Sequence, residues 1–427
     1  MIAELYKKYL LCKHIATDSR NILPQAIFFA LAGPRFNGNA FAEEALKKGA
    51  SCAIIDDIRY KKDDRYILVD SSLATLQGLA RYHRRQLNIP VIAITGSYGK
   101  TTTKELVKVV LRQRYQAFAT SGNLNNHIGV PLTLLSIQQE AEIAVIEMGA
   151  NHLGEIAQLC EIAAPTHGLI TQLGNVHLEG FGSFEGVVWG KSELYHYLMQ
   201  HGGQVFINSQ NSILINQGRR FKNPCYYPQK QDFYHCALVA ENPYVVYKSE
   251  NGEIIQSNLL GAHHFENIAA ALCIAKYFAV SEEKANEAIK HYYPRNNRSQ
   301  VIKRSSNTLV LDAYNANPES MREAIRVFNL IPASHKVLIL GDMNELGEES
   351  EKFHQEIGQL TTQEKYTEVI FCGSLMEAAK KMNPAALYFK NKEDLADYLK
   401  KKKFEHTTFL LKASRFLGLE SLAALIH

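Results

Sequence analysis

An apolar run, Val91-Ile92-Ala93-Ile94, stops abruptly at Thr95-Gly96-Ser97-Tyr98-Gly99-Lys100-Thr101-Thr102, and a helical stretch from Thr102 to Arg114 follows. An unbroken apolar run without alternation marks a strand covered on both faces, and such strands belong to parallel sheets joined by helical crossovers. The loop therefore lies at the carboxyl edge of a sheet, with backbone N–H groups and a helix N-terminus aimed at one point. That placement suits phosphate oxygens. Gly96, Ser97, Gly99 and Thr102 shape the cradle, Lys100 would reach the outer phosphates of a nucleotide, and the Thr101 hydroxyl would bind Mg²⁺. The spacing departs from the standard G-x-x-x-x-G-K-[ST] loop because Ile94 stands at the first glycine position. Strand, turn and helix in the right order outweigh that departure.

The pattern on either side extends the α/β reading. Before the loop, short apolar runs (Ala26 to Ala32, Cys52 to Ile55, Tyr66 to Val69) alternate with turn clusters and end in a helix over Leu73 to Leu87, predicting a small α/β module. After it, strands at Ile143 to Met148, Gly168 to Leu173 and Val205 to Asn208 alternate with helices near Gly154 to Ile162 and Ser192 to Gln200. Period-two runs around Asn251-Gly252 predict an antiparallel insertion over Ala237 to Leu260 in this central domain. Helices near Phe265 to Phe278 and Ser281 to His291 lead to a polar turn, Pro294-Arg295-Asn296-Asn297-Arg298, that reads as a boundary. Beyond it, strands at Thr308 to Leu311, Lys336 to Leu340, Val369 to Phe371 and Thr408 to Leu411 predict a second open α/β sheet, with Asn317 and Pro318 starting its first helix. A chain of 427 residues holds about three domains, here 1–87, 88–295 and 296–427.

Composition narrows the function classes. Lys+Arg is 47 against Asp+Glu 43, too small a basic excess for a dedicated nucleic-acid binder, so no nucleic-acid partner is expected. The seven cysteines are scattered and never spaced as C-x-x-C, which argues for reduced thiols rather than disulfides or zinc sites. No apolar run reaches membrane-spanning length, and the N-terminus lacks a signal-peptide core, so membrane insertion is not expected and the expected location is the cytoplasm.

Two residues beyond the loop carry chemistry. Glu147 ends the strand Ile143 to Ile146, where a carboxylate at the sheet edge could hold a metal ion; the bland reading is a cap for the turn Met148-Gly149-Ala150-Asn151-His152. His177 also follows an apolar strand, so Thr101, Glu147 and His177 could converge on one Mg²⁺, although a histidine alone is more often a satisfied surface group.

In these residues the chain resembles the Mur ligase family of ATP-dependent peptide-forming enzymes. Five stretches carry the likeness in order: Gly122-Asn123-Leu124-Asn125-Asn126, Glu147 to His152, His177-Leu178-Glu179-Gly180-Phe181-Gly182, Asp312-Ala313-Tyr314-Asn315-Ala316-Asn317-Pro318 and Gly341 to Gly347. The resemblance implies three domains: a small α/β UDP-binding domain, a central phosphate-loop ATPase domain and a C-terminal Rossmann-like ligase domain. It implies an ATP-dependent amide ligase, expected to be a monomer, that joins D-alanyl-D-alanine to UDP-N-acetylmuramoyl-tripeptide through an acyl phosphate, with the C-terminal domain closing over the central one.

The same resemblance implies roles for single residues. Ser19 and Arg20 would meet the uridine diphosphate, Asn125, Asn126 and His152 the muramoyl-peptide, and Asn267 the adenine, in a motif where His264 replaces a usual asparagine. Arg298 and Asp312 would reach the nucleotide, with Ala313 replacing a common serine. Lys191 matches a lysine that many members carry as a carbamate, supporting the second of two Mg²⁺ ions. Lys100, Lys191, His177 and Glu147 are thus the expected catalytic set, and Lys412-Ala413-Ser414-Arg415 resembles the family's ending near the dipeptide.

Overall fold

Successive residues of the strand Ile27–Phe29 face opposite ways and both sides are buried, so the first sheet must be covered twice. Ile27 and Phe29 pack with Leu5 and Tyr9 of the helix Ile2–Cys12 and with Leu76 and Leu79 of the helix Ser72–Gln86. Phe28 joins Ala42, Ala45 and Leu46 on the other face. The sheet itself is parallel, in the order Ile15–Ala16, Ile27–Phe29, Cys52–Ile55, Tyr66–Leu68. The computed structural model describes residues 1–427 apart from Lys13, Arg35, Asn296, His427 and the side chain of Leu178. The expected boundary at 295/296 therefore touches a residue outside those described.

The chain divides into two compact units, one of Met1–His235 with Asn267–Ala285, the other of Cys236–Glu266 with Asn286–His427. The first unit holds the small sheet and a larger parallel one, ordered Cys225–Tyr227, Gln204–Asn208, His167–Ile170, Val91–Thr95, Ile143–Glu147, Ala117–Ala119. Strands that follow Val91–Thr95 are laid on both of its sides, which makes its carboxyl end a topological switch point, the usual ligand position of an open α/β sheet. The expected strand Gly168 to Leu173 stops at Ile170, because Thr171 and Gln172 turn to hold the glycine loop. The helix expected from Ser192 begins eight residues earlier: it spans Phe184–Gln200, and the Ser183 hydroxyl caps it by accepting from the Gly186 N–H. A glycine inside the run, Gly190, weakens the helical signal in the sequence. Its place is steric, since a Cβ there would lie 2.5 Å from the Phe181 ring.

The second unit contains a six-stranded sheet ordered Gln300–Arg304, Asn307–Asp312, Thr407–Lys412, His335–Gly341, Glu368–Cys372, Leu387–Phe389, antiparallel only at its first edge. Asn317 caps the helix Pro318–Asn329, as its sequence predicts, and Ser320 completes a capping box with it. The antiparallel insertion forms as expected, from Ala237–Glu241, Tyr244–Lys248 and Ile254–Leu260. It packs in this unit rather than with the large parallel sheet of the first: Leu260 and Tyr244 join the core of Val310, Met321, Ile325 and Phe328. Arg326 links it further, donating to Glu241 at 3.0 Å and to Glu323 at 2.8 Å, while His263 Nδ1 lies 3.1 Å from Glu323. All seven cysteines are free thiols. Among the described residues no helix is long and apolar enough to cross a membrane.

Candidate active site

The phosphate loop is tied down on three sides. Gly96 (φ 144) and Gly99 (φ 78) adopt backbone conformations that other residues avoid. A Cβ at Gly96 would stand 2.1 Å from Thr171 Oγ1, and one at Gly99 2.5 Å from Asn267 Oδ1. Thr171 Oγ1 donates to the Tyr98 carbonyl at 2.6 Å, and the Ser97 N–H donates to Gln172 O at 2.7 Å. The Ser97 hydroxyl meets the Gly174 backbone at 3.0 Å. Lys100 Nζ donates to the carbonyls of Gly96 (2.7 Å) and Ser97 (3.0 Å), so the ammonium lies over the loop at the start of the helix Lys100–Leu111. Thr102 is nearly buried beside it.

Asn267 sits against this loop. Its Oδ1 accepts from the Thr103 hydroxyl at 3.0 Å and the side chain is 4% exposed, so it braces the Gly99 turn from behind.

Glu147 is the buried centre of the site. Its Oε1 accepts from the Thr101 hydroxyl at 3.1 Å and from Asn125 Nδ2 at 2.7 Å, while its backbone N–H donates to the Thr120 hydroxyl at 2.9 Å. Oε2 is buried with no hydrogen-bond partner. An uncompensated carboxylate oxygen is costly in an interior, and a cation is the group that removes the cost. Thr101 and Glu147 thus fit Mg²⁺, which binds few protein oxygens and keeps several waters. His177 reaches the same end of the sheet at a left-handed turn (φ 51), its carbonyl accepting from Gly180 and Phe181. Among the described residues no group of three or more His, Cys, Asp or Glu is assembled as a metal cage.

Lys191 lies inside its helix, not at the helix start, and is 1% exposed. Its Nζ donates to the Ala150 carbonyl at 2.8 Å and stands 5.0 Å from the centre of the Phe181 ring. Burial first, and the charge of Lys100 second, push its amine down to about 7, against the opposing pull of Glu155 and Glu193. A lysine whose neutral amine is accessible near pH 7 is a nucleophile.

The substrate candidates divide by what already holds them. Asn125 is turned onto Glu147, and Asn126 Oδ1 accepts from the N–H groups of Ile128 and Gly129 at 3.1 and 2.8 Å, just before the helix Gly129–Leu135. His152 is exposed beside Glu155. Ser19 is buried and faces Glu44 at 3.4 Å, whereas the side chain of Arg20 is 83% exposed and grips Asp18 in a fork, 2.7 Å at its closest.

In the second unit Asp312, Arg298 and Tyr314 gather at the carboxyl edge of the sheet. Arg298 lies 3.6 Å from the Tyr314 ring centre, with Arg415 at 5.6 Å from that ring. Asp312 accepts from Lys412 and from the Ser299 N–H. His264, which takes the place of an asparagine, is buried and holds its imidazole neutral, chiefly through desolvation. The contacts of Asn125 with Glu147, of Thr120 with the Glu147 backbone and of Lys412 with Asp312 went unread in the sequence. Each joins residues 22 or more apart, and no spacing rule reports such pairs.

The sequence matches three family descriptions in turn: "Mur ligase family, catalytic domain" over residues 12–94, "Mur ligase middle domain" over 94–275, and "Mur ligase, glutamate ligase domain" over 297–415. It is 33% identical over 422 residues to a Bacillus subtilis protein named UDP-N-acetylmuramoyl-tripeptide--D-alanyl-D-alanine ligase, covering 96% of this chain and 92% of that one. An Escherichia coli protein of the same name is 32% identical over 417 residues, covering 95% and 92%. Among solved structures, a MurF from Acinetobacter baumannii aligns with TM-score 0.86 at 28% identity, covering 96% of this chain and 92% of that one. A Thermotoga maritima MurF ligase in complex with ADP aligns with TM-score 0.81 at 28% identity over 97% of each chain. The three-domain α/β fold is that of these neighbours, and with a third of its residues shared along almost its whole length, the chain belongs to the Mur ligase family.

Proposed function

We propose that this chain is an ATP-dependent ligase that joins D-alanyl-D-alanine to UDP-N-acetylmuramoyl-tripeptide, forming the pentapeptide precursor of peptidoglycan with release of ADP and phosphate. The observation that carries this reading is the end-to-end likeness to proteins of that name, spanning 92% of their length.

The chemistry explains the site. A carboxylate resists amines because oxide is a poor leaving group, so one carboxylate oxygen of the tripeptide first attacks the γ-phosphorus of ATP and ADP departs. The dipeptide amine then attacks the acyl phosphate carbon, loses a proton, and phosphate leaves as the amide forms. Lys100 and the loop amides hold the phosphates and offset charge on the transferring group. Mg²⁺, when bound, screens that charge and fixes the phosphate geometry. Thr101, Glu147 and His177 would hold one ion, and a carbamate on Lys191 would support a second. The neutral Lys191 amine would take up carbon dioxide and release a proton, turning a buried neutral group into an anion.

The remaining assignments follow the family. Ser19 and Arg20 serve the uridine diphosphate, Asn126 and His152 the muramoyl-peptide, and Asn125 reaches it while orienting Glu147. Asn267 serves the adenine, and Arg298 and Asp312 the nucleotide. Residues 1–87, 88–295 and 296–427 act as the three functional domains, in a cytoplasmic monomer.

The test is phosphate release from ATP and Mg²⁺ with UDP-N-acetylmuramoyl-tripeptide, with and without D-alanyl-D-alanine, and mass detection of the product. Turnover requiring every component is expected, for a diaminopimelate- or a lysine-containing tripeptide. Hydrolysis indifferent to both substrates, with no new amide, would sink the reading.

A further inference from the structure

The strand Thr407–Lys412 is buried along its whole length, yet its last residue is a lysine, 1% exposed. A cation placed there costs free energy unless it is paired and hydrogen-bonded, and an apolar side chain would fill the space without that cost. Lys412 is the register partner of Asp312 on the parallel strand Asn307–Asp312. Its Nζ donates to Asp312 Oδ2 at 2.6 Å and to the Asn315 carbonyl at 3.2 Å, so one ammonium grips both ends of the Asp312-Ala313-Tyr314-Asn315 turn. Asp312 Oδ1 is then free to accept the Ser299 N–H at 3.0 Å. Ser299 has a left-handed backbone (φ 45) and directly follows Arg298, whose guanidinium lies on Tyr314.

We propose that Lys412 is a positioning residue: from inside the sheet it fixes the Asp312 carboxylate and, through it, the turn that presents Arg298. It rests on the reading that Asp312 and Arg298 serve the nucleotide. Lys412 is too deeply buried to contact the dipeptide itself, so its part in the ending Lys412-Ala413-Ser414-Arg415 is internal. Burial alone would raise the Asp312 carboxyl, but the Lys412 charge and hydrogen bond hold it below its ordinary value, ready to accept.

The experiment is steady-state kinetics on the full chain for wild type, Lys412→Met, Lys412→Arg, Asp312→Asn and the double variant Lys412→Met/Asp312→Asn, with melting followed by circular dichroism. Lys412→Met should raise the KM for ATP about tenfold, in the range of measured couplings between contacting residues, and leave the KM for the tripeptide within about twofold. Lys412→Arg should recover most of the loss, and the double variant should be no worse than Asp312→Asn. An unchanged ATP KM in Lys412→Met beside a raised one in Asp312→Asn overturns the proposal and leaves the nucleotide reading standing. So do losses that multiply in the double variant, or a general loss of activity and melting temperature that arginine does not repair. An Asp312→Asn enzyme with wild-type ATP KM would remove the nucleotide role of Asp312, and the proposal with it. If Lys412→Met does not fold, Lys412→Arg alone and on the Asp312→Asn background carries the same comparison, with a smaller rise in ATP KM expected only when Asp312 is intact.

Discussion

The two large sheets end in polar edges that solve the problem of buried charge in opposite ways. At the first, Glu147 keeps one carboxylate oxygen buried without a partner, and Lys191 is held near neutrality by burial and by Lys100. At the second, Asp312 is paired with Lys412 and a backbone amide, and Asp342 accepts from the N–H groups of Leu375 and Met376 at 3.0 Å each. At the first edge a carboxylate oxygen waits for a cation; at the second the two carboxylates are satisfied by residues of their own unit, and the buried atom without a partner is a donor, Arg298 Nε. The difference teaches that unsatisfied groups, more than charged ones, mark where a reaction is prepared.

The contrast would break most plainly at Lys100. Lys100→Ala should lower kcat by roughly 10³-fold, the scale of losing an electrostatic donor to a transferring group; phosphate release near the wild-type rate would mean that the loop does not hold the reacting phosphates. Asn125→Ala frees the buried Glu147 oxygen that Asn125 now orients, and outer contacts of this kind typically cost about 10- to 100-fold in metal affinity. A titration of activity against Mg²⁺ should show a half-saturating concentration raised by roughly tenfold. An unchanged titration would show that Asn125 does not tune the metal site.

Lys191 sharpens the contrast through pH. Its amine is lowered to about 7, so it is neutral above that pH and protonated below it, and only the neutral form adds carbon dioxide. Activity should therefore be present above pH 7 and fall about tenfold per unit below it, with bicarbonate restoring activity to gas-stripped enzyme. Intact-mass spectra lacking a carbon dioxide adduct under all these conditions, in active enzyme, would refute it. The smallest effect is expected in the second unit. Arg326→Ala, which removes exposed links to Glu241 and Glu323, should cost about 1 kcal/mol after screening by solvent. Chemical denaturation reads this directly, and a loss several times larger would show that the antiparallel insertion depends on these charges more than on Leu260 and Tyr244.

What the sequence made legible was local. Strand, glycine turn and helix around Lys100 are contiguous, Glu147 ends an apolar run, and Asn317-Pro318 announces its helix with adjacent residues. What stayed hidden was set by distance along the chain. Lys412 meets Asp312 from 100 residues away, and Glu147 meets Asn125 from 22. The early start of the Lys191 helix was masked by Gly190, whose reason for being glycine is Phe181, a residue outside that helix. The antiparallel insertion was readable as a hairpin from Asn251-Gly252, but which core would cover it depended on Met321 and Ile325, which no hairpin signal contains.

The path of the chain through its two units also bears on how a ribosome can deliver it. Domains generally fold as they emerge, N-terminal first. Here the first unit lacks its segment Asn267–Ala285 until the whole antiparallel insertion has been synthesised, and that insertion must wait for Met321, Ile325 and Arg326 before its apolar side is covered. A nascent chain stalled near residue 300 would carry an exposed three-stranded sheet with Leu260 uncovered, a surface that invites chaperones or aggregation. A fragment cut at the sequence-predicted boundary would carry the same liability permanently.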